Sequence, residues 1–130
     1  MKYKRDLVSV IIPCFNHGNY IEETVDSALN QTYENIEVIV VNDGSTDSET
    51  NKFFDSYKDP KVKLITTKNF GLSSARNTAI ANSSGEFFVP LDADDKVSSK
   101  FNEKTLNEMI QDKNIGVVYT DIQLFDKENE

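Results

Sequence analysis

Phe87-Phe88-Val89-Pro90-Leu91-Asp92-Ala93-Asp94-Asp95 joins a short apolar run to three carboxylates within four residues. The apolar half reads as a buried strand and the acidic half as its carboxyl end. Carboxylates this close repel one another unless a cation neutralises them. Hard divalent ions such as Mg²⁺ and Mn²⁺ favour oxygen ligands, and they usually take one or two carboxylates together with phosphate oxygens and water. The stretch therefore suggests a metal that holds a phosphorylated ligand. A solvated acidic turn is the plainer alternative, because Asp is common in turns for its local hydrogen bonds.

Spacing tests two competing motifs. Asp92, Asp94 and Glu103 fall at positions one, three and twelve of a calcium-binding loop, but Val97 stands where that loop needs Gly, and Lys96 takes a ligand position. An aspartyl-phosphate enzyme would be expected to carry its acids at the end of the first strand. This chain has Val8-Ser9-Val10-Ile11-Ile12-Pro13 there, with no acid.

Outward from the acidic stretch, β-branched runs alternate with helix-period segments. Strands are expected at Leu7 to Pro13, Ile36 to Asn42, Val62 to Thr67, Glu86 to Asp92 and Ile115 to Thr120. Helices are expected from about Tyr20 to Asn30, with Asn19 and Glu22 as a capping box, and after Ser45-Thr46-Asp47, ending at Asp59-Pro60. A third carries Leu72, Ala75, Ala79 and Ile80 on its buried face and ends near Ser84-Gly85, and a fourth spans Phe101 to Gln111. Strands separated by helices predict a single α/β domain over residues 1–130, Rossmann-like, with a mostly parallel sheet and flanking helices.

In such sheets ligands bind beyond the carboxyl ends of the strands. Those ends are Cys14-Phe15-Asn16, Asn42-Asp43-Gly44-Ser45, Lys68-Asn69-Phe70-Gly71 and Asp92-Ala93-Asp94-Asp95, all polar and irregular after apolar strands. No strand is followed by G-x-G-x-x-G or G-x-x-x-x-G-K-[ST], so the metal, not a glycine cradle, is expected to hold phosphate.

Composition narrows the function further. A formal charge of −8 over 130 residues, without a Lys/Arg cluster, disfavours nucleic acid as a partner. Cys14 is the one cysteine, which excludes an internal disulfide and a cysteine-based zinc cluster and fits a reducing, cytoplasmic setting. No apolar run approaches the ~20 residues of a membrane span, and any membrane association is left to parts outside these residues. Without a secretion signal, Asn30-Gln31-Thr32 and Asn82-Ser83-Ser84 read as chance matches to the glycosylation pattern.

Four motifs in order, Val10-Ile11-Ile12-Pro13-Cys14-Phe15-Asn16, Val41-Asn42-Asp43-Gly44-Ser45-Thr46-Asp47, Gly71-Leu72-Ser73-Ser74-Ala75-Arg76-Asn77 and Leu91-Asp92-Ala93-Asp94-Asp95, make the chain similar to the family 2 glycosyltransferases. The resemblance runs from about Val8 to Phe125. It departs in detail: Asn42 stands where many members have a second Asp, and Phe15 where Tyr is common. The resemblance implies the GT-A fold and an inverting transfer of sugar from a nucleotide-diphosphate donor to an acceptor hydroxyl, saccharide or lipid-linked, in cell-surface polysaccharide or glycoconjugate synthesis. It implies Mn²⁺ or Mg²⁺ as cofactor, held at a DxD motif.

Residue by residue, the resemblance implies a nucleotide site of Pro13, Phe15, Asn16, Asp43, Arg76 and Asp92, with Asp94 as the metal ligand. Asp43 as base reader suits uridine or deoxythymidine donors, since an acceptor-only carboxylate matches the N3–H of uracil or thymine and not the N3 acceptor of cytosine. Its alternative is a cap or Asx-turn before Gly44-Ser45. Phe15 either stacks on the base or is a core aromatic. Arg76 either reaches the nucleotide or is solvated. Asp92 would contact ribose or sugar, and Asp95 has no assigned role. His17, a lone histidine beside Gly18, is also given none.

The family's general base is a carboxylate well downstream, expected beyond Glu130, and Glu128 and Glu130 are not drafted into that role. Residues 1–130 thus resemble the donor-binding part of a longer enzyme. Two alternatives stay open at this point: a nucleotide-sugar-binding module that transfers nothing in isolation, and a receiver-like phosphoacceptor domain.

Overall fold

The structure is a computed structural model in which residues 3–125 are described. Its elements are β1 (Lys4–Cys14), α1 (Ile21–Leu29), β2 (Ile36–Asp43), α2 (Ser48–Ser56), β3 (Val62–Thr67), α3 (Leu72–Ala81), β4 (Gly85–Pro90) and α4 (Phe101–Gln111). The strands form one sheet in the order β3-β2-β1-β4, and every pairing is parallel. This is the α/β architecture expected from the alternation.

The two central strands are apolar almost without interruption because both of their faces are covered. On one face Val10, Ile12, Val38 and Val40 pack with Ile21, Val25 and Ala28 of α1 and Phe53 of α2. On the other, Ile11, Ile39 and Val41 pack with Ala75 and Ala79 of α3. Leu106 of α4 packs with Val8 and Ile36. Each buried aliphatic side chain contributes about 1.5–3 kcal/mol, so these layers fix where the strands end.

Local details depart from the sequence expectation in four places. The Asn19–Glu22 capping box does not form: Tyr20 occupies the N-cap of α1 without a side-chain cap, and the Tyr20 and Ile21 N–H groups donate to the His17 carbonyl, both at 2.9 Å. Strand β4 stops at Pro90, so the acidic motif lies wholly in the following turn. Leu72 is 52% exposed and lines the cleft at the strand ends, while Ala75 and Ala79 are buried in the core and Ile80 packs against it.

The fourth departure is Ile115 to Thr120, which makes no strand ladder among the described residues. Alternation favours an extended chain, but a strand also needs a neighbour for its hydrogen bonds. Here β4, α4 and residues 116–120 jointly line a groove of about 580 Å³, which leaves Val117 and Tyr119 exposed.

The chain runs from β1 outward to β2 and β3, then returns to set β4 on the other side of β1. The strand order therefore reverses at β1, and the crevice above such a reversal is where open α/β sheets bind ligands. Two glycines allow the loops there to approach closely. A Cβ on Gly18 would lie 2.3 Å from the Thr50 backbone nitrogen, and one on Gly44, whose φ is +65°, would lie 2.5 Å from that of Asn69. The β1–α1 loop thereby packs on α2, and the β2 end on the β3 end.

Candidate functional site

The carboxyl ends of β1, β2 and β4 and the loop after β3 enclose a cleft of about 460 Å³. Pro13, Phe15, Asp43, Asp92 and Asp94 all line it, together with His17, Asn69, Gly71 and Leu72. Five of the seven residues read from the sequence thus meet in one place. Asn16 and Arg76 do not line it.

Asn16 shapes the loop instead. It sits at φ +56°, a left-handed conformation that Asn tolerates better than most residues. Its Oδ1 accepts from the backbone N–H groups of Thr46 and Asp47 at 2.8 and 3.1 Å, and its own N–H donates to Ser45 Oγ at 3.1 Å. This ties the β1 end to the β2–α2 loop and turns Phe15, 41% exposed, outward as a half-open aromatic face.

Asp43 is 5% exposed at the cleft floor. Its two carboxylate oxygens accept the Phe70 N–H at 2.8 Å and the Gly71 N–H at 3.1 Å. The Asx-turn considered for it is made by its neighbour: Asn42 Oδ1 accepts the Ser45 N–H at 2.9 Å. A carboxylate has about four acceptor sites, so Asp43 clamps the β3–α3 loop and retains lone pairs for a ligand N–H.

The acidic turn owes its shape to alternation. Leu91 and Ala93 are buried while Asp92 and Asp94 are exposed. The Ala93 carbonyl accepts the buried Thr24 hydroxyl of α1 at 2.8 Å, and the Asp95 N–H closes the turn on the Asp92 carbonyl at 3.0 Å. Asp92 pairs with Arg76 at 2.9 Å. Both partners are substantially exposed, so the pair orients Asp92 more than it stabilises the fold.

Arg76 lies in an adjoining cavity of about 520 Å³ that shares Asp92 and also contains Asp95. Its Nε is buried without a hydrogen-bond partner among the described residues. Desolvation, with the charges of Asp94 and Asp92 beside it, holds the Asp95 carboxyl above its ordinary range. The turn thus carries the mutual repulsion that an added cation relieves. Among the described residues no three His, Cys, Asp or Glu side chains converge into a metal cage. Exposed carboxylates of this kind fit a hard cation that takes few protein ligands and completes its shell with other oxygens.

Cys14 also lines the cleft, but burial, reinforced by the charge of Asp47 and opposed by the His17 backbone N–H on the sulfur, pushes its thiol up to about 11. It stays a neutral wall rather than a nucleophile. Sequence reasoning passed over His17 and Leu72. The signal for His17 was its place in the loop after β1, and for Leu72 its place at the start of α3, directly after the loop that follows β3.

A 3-2-1-4 parallel sheet with an acidic turn after its fourth strand and a cleft above the strand reversal defines an α/β domain of the GT-A type. Residues 9–130 match the sequence profile of glycosyl transferase family 2, and the chain belongs to that family. Among curated relatives, chondroitin synthase of Pasteurella multocida (strain Pm70) is 41% identical over 117 residues, 88% of this chain and 12% of that protein. Glycosyltransferase GlyA of Streptococcus pneumoniae serotype 4 is 41% identical over 108 residues, 82% of this chain and 15% of that protein.

Among solved structures, S. aureus TarS 1–349 in complex with UDP-GlcNAc superposes with a TM-score of 0.71 at 29% identity, over 85% of this chain and 32% of that one. The mannosyltransferase PcManGT of Pyrobaculum calidifontis, in complex with GDP-Man and Mn²⁺, gives 0.64 at 32% identity, over 80% and 31%. The chain therefore spans a third or less of these proteins. Family membership replaces the receiver-like reading, in keeping with a first strand that ends in Cys14-Phe15 without an acid. Among the described residues no helix is long and apolar enough to cross a membrane.

Proposed function

We propose that residues 1–130 are the donor-binding part of a longer, inverting, metal-dependent glycosyltransferase that uses a UDP-sugar. The observation that carries this reading is the convergence of Asp43, Phe15, Asp92 and Asp94 from separate elements on one cleft above the strand reversal. Nucleotide-sugar complexes of TarS and PcManGT support a nucleotide donor. Those two differ in base, so the preference for uracil rests on Asp43.

In this reading the free lone pairs of Asp43 accept the uracil N3–H while Phe15 covers one ring face, a stack contributing about 1–3 kcal/mol. Asp92, held by Arg76, meets ribose or sugar hydroxyls. Asp94, assisted by its exposed position, takes Mn²⁺ or Mg²⁺, which when bound supplies the positive charge that neutralises the leaving diphosphate. An acceptor hydroxyl, on a saccharide or lipid-linked acceptor, attacks the anomeric carbon from the face opposite the diphosphate. The carboxylate that removes its proton is assigned to residues beyond Glu130. Glu128 and Glu130 themselves lie outside the described residues.

Thermal melts test the donor reading. UDP at ~100 times its dissociation constant should stabilise the fold by about 2.7 kcal/mol in Mn²⁺ or Mg²⁺, and a chelator should remove most of that gain. Identical nucleotide responses with and without chelator would contradict metal coupling.

A further inference from the structure

We infer that His17 is a donor-binding side chain whose imidazole hydrogen-bonds the diphosphate; this rests on the donor reading of the cleft. Its backbone is fixed on both sides, by the Asn16 carboxamide on the β2–α2 loop before it and by Gly18 packed on Thr50 after it. Its carbonyl, accepting from Tyr20 and Ile21, starts α1 in place of a side-chain cap. The ring is thus delivered to the cleft wall by rigid neighbours, with its edge near the Tyr20 ring at a centroid distance of 6.5 Å.

The chemistry of the wall then singles it out. The acidic side chains lining the cleft are Asp43, Asp92 and Asp94, and the Arg76 guanidinium is paired to Asp92 in the adjoining cavity. Among the described lining residues only His17 and Asn69 have side-chain N–H groups to offer. A diphosphate brings several anionic oxygens, of which a cation at Asp94 covers some. The His17 Nδ1 is buried and has no hydrogen-bond partner in the described structure, which leaves Nε2 as the ring atom that meets a ligand. A purely structural histidine would be expected to use a ring nitrogen on the protein itself.

The test compares UDP with uridine, which has the same base and ribose but no phosphate, by calorimetry in Mn²⁺. Loss of a hydrogen bond to a charged group predicts that His17→Ala and His17→Phe each weaken UDP by about tenfold or more and leave uridine within about twofold. His17→Gln places a side-chain N–H near the Nε2 position and should recover most of the UDP affinity. Equal loss of UDP and uridine, or unchanged UDP binding in the Ala and Phe variants, overturns the inference while leaving the donor reading intact. A wild-type chain that binds neither ligand overturns the donor reading itself, and the inference with it.

Discussion

Asp43→Ala is expected to weaken UDP binding by about a hundredfold, to erase discrimination among uridine, guanosine and cytidine diphosphates, and to destabilise the free protein as well. The first two effects follow from losing the acceptor for the uracil N3–H, since a hydrogen bond to a charged group contributes about 1.5–3 kcal/mol. The third follows from the clamp. The Phe70 and Gly71 N–H groups lose their carboxylate partners, and each donor left unsatisfied costs about 1–3 kcal/mol unless water reaches it. With the loop released, the Gly71–Leu72 start of α3 no longer holds the cleft wall. Thermal melts of the free variant and calorimetry with the three nucleotides measure both consequences. A variant that melts like wild type and keeps the same order of nucleotide affinities would contradict the double role.

Asp94→Asn should behave in the opposite manner, with loss of metal-coupled binding and no loss of fold. The substitution keeps shape but removes charge, and the turn is held by the Thr24–Ala93 and Asp95–Asp92 bonds, neither of which uses the Asp94 side chain. Removing that charge also relieves Asp95, whose raised carboxyl it helps to cause. A carboxyl raised in the folded state penalises folding at pH values above its unfolded range, so the variant should melt at or slightly above wild type near neutral pH. Its chelator-sensitive share of UDP affinity should fall by about a hundredfold or more, because losing a direct ligand costs at least as much as the ~10–100-fold of losing an outer-shell partner. Calorimetry with UDP in Mn²⁺ and in chelator separates the shares. Undiminished chelator sensitivity in the variant would move the metal ligand elsewhere.

Much of the fold could be read because its signals are local. The unbroken apolar runs of β1 and β2 mark strands covered on both faces, and β3 falls at Val62–Thr67 as read. The acidic turn was legible because three carboxylates in four residues directly follow an apolar run, which marks the end of a strand. The expectations that differ from the structure depend on distant partners. Asn19 and Glu22 satisfy the capping pattern, yet the His17 carbonyl already takes the first N–H groups. Leu72 fits the helical stripe, but it stands half-exposed in the cleft lining. Asn16 lies in a motif with binding residues, while its carboxamide is engaged by a loop some 30 residues later. The Asp43 clamp on Phe70 spans 27 residues, and nothing in the local sequence announces it.

In the proposed function, metal, diphosphate and base meet in the cleft over β1 and β4. Paramagnetic broadening of backbone amide NMR signals by Mn²⁺, recorded with and without UDP, tests it most directly. With UDP present, the account predicts strong broadening of the amides of Ala93, Asp94 and Asp95, weaker broadening at Phe15, His17 and Gly71, and none at the opposite, amino-terminal ends of β2 and β3. Broadening that ignores UDP and is centred on another acidic surface, such as Glu103 to Glu108 on α4, would contradict it.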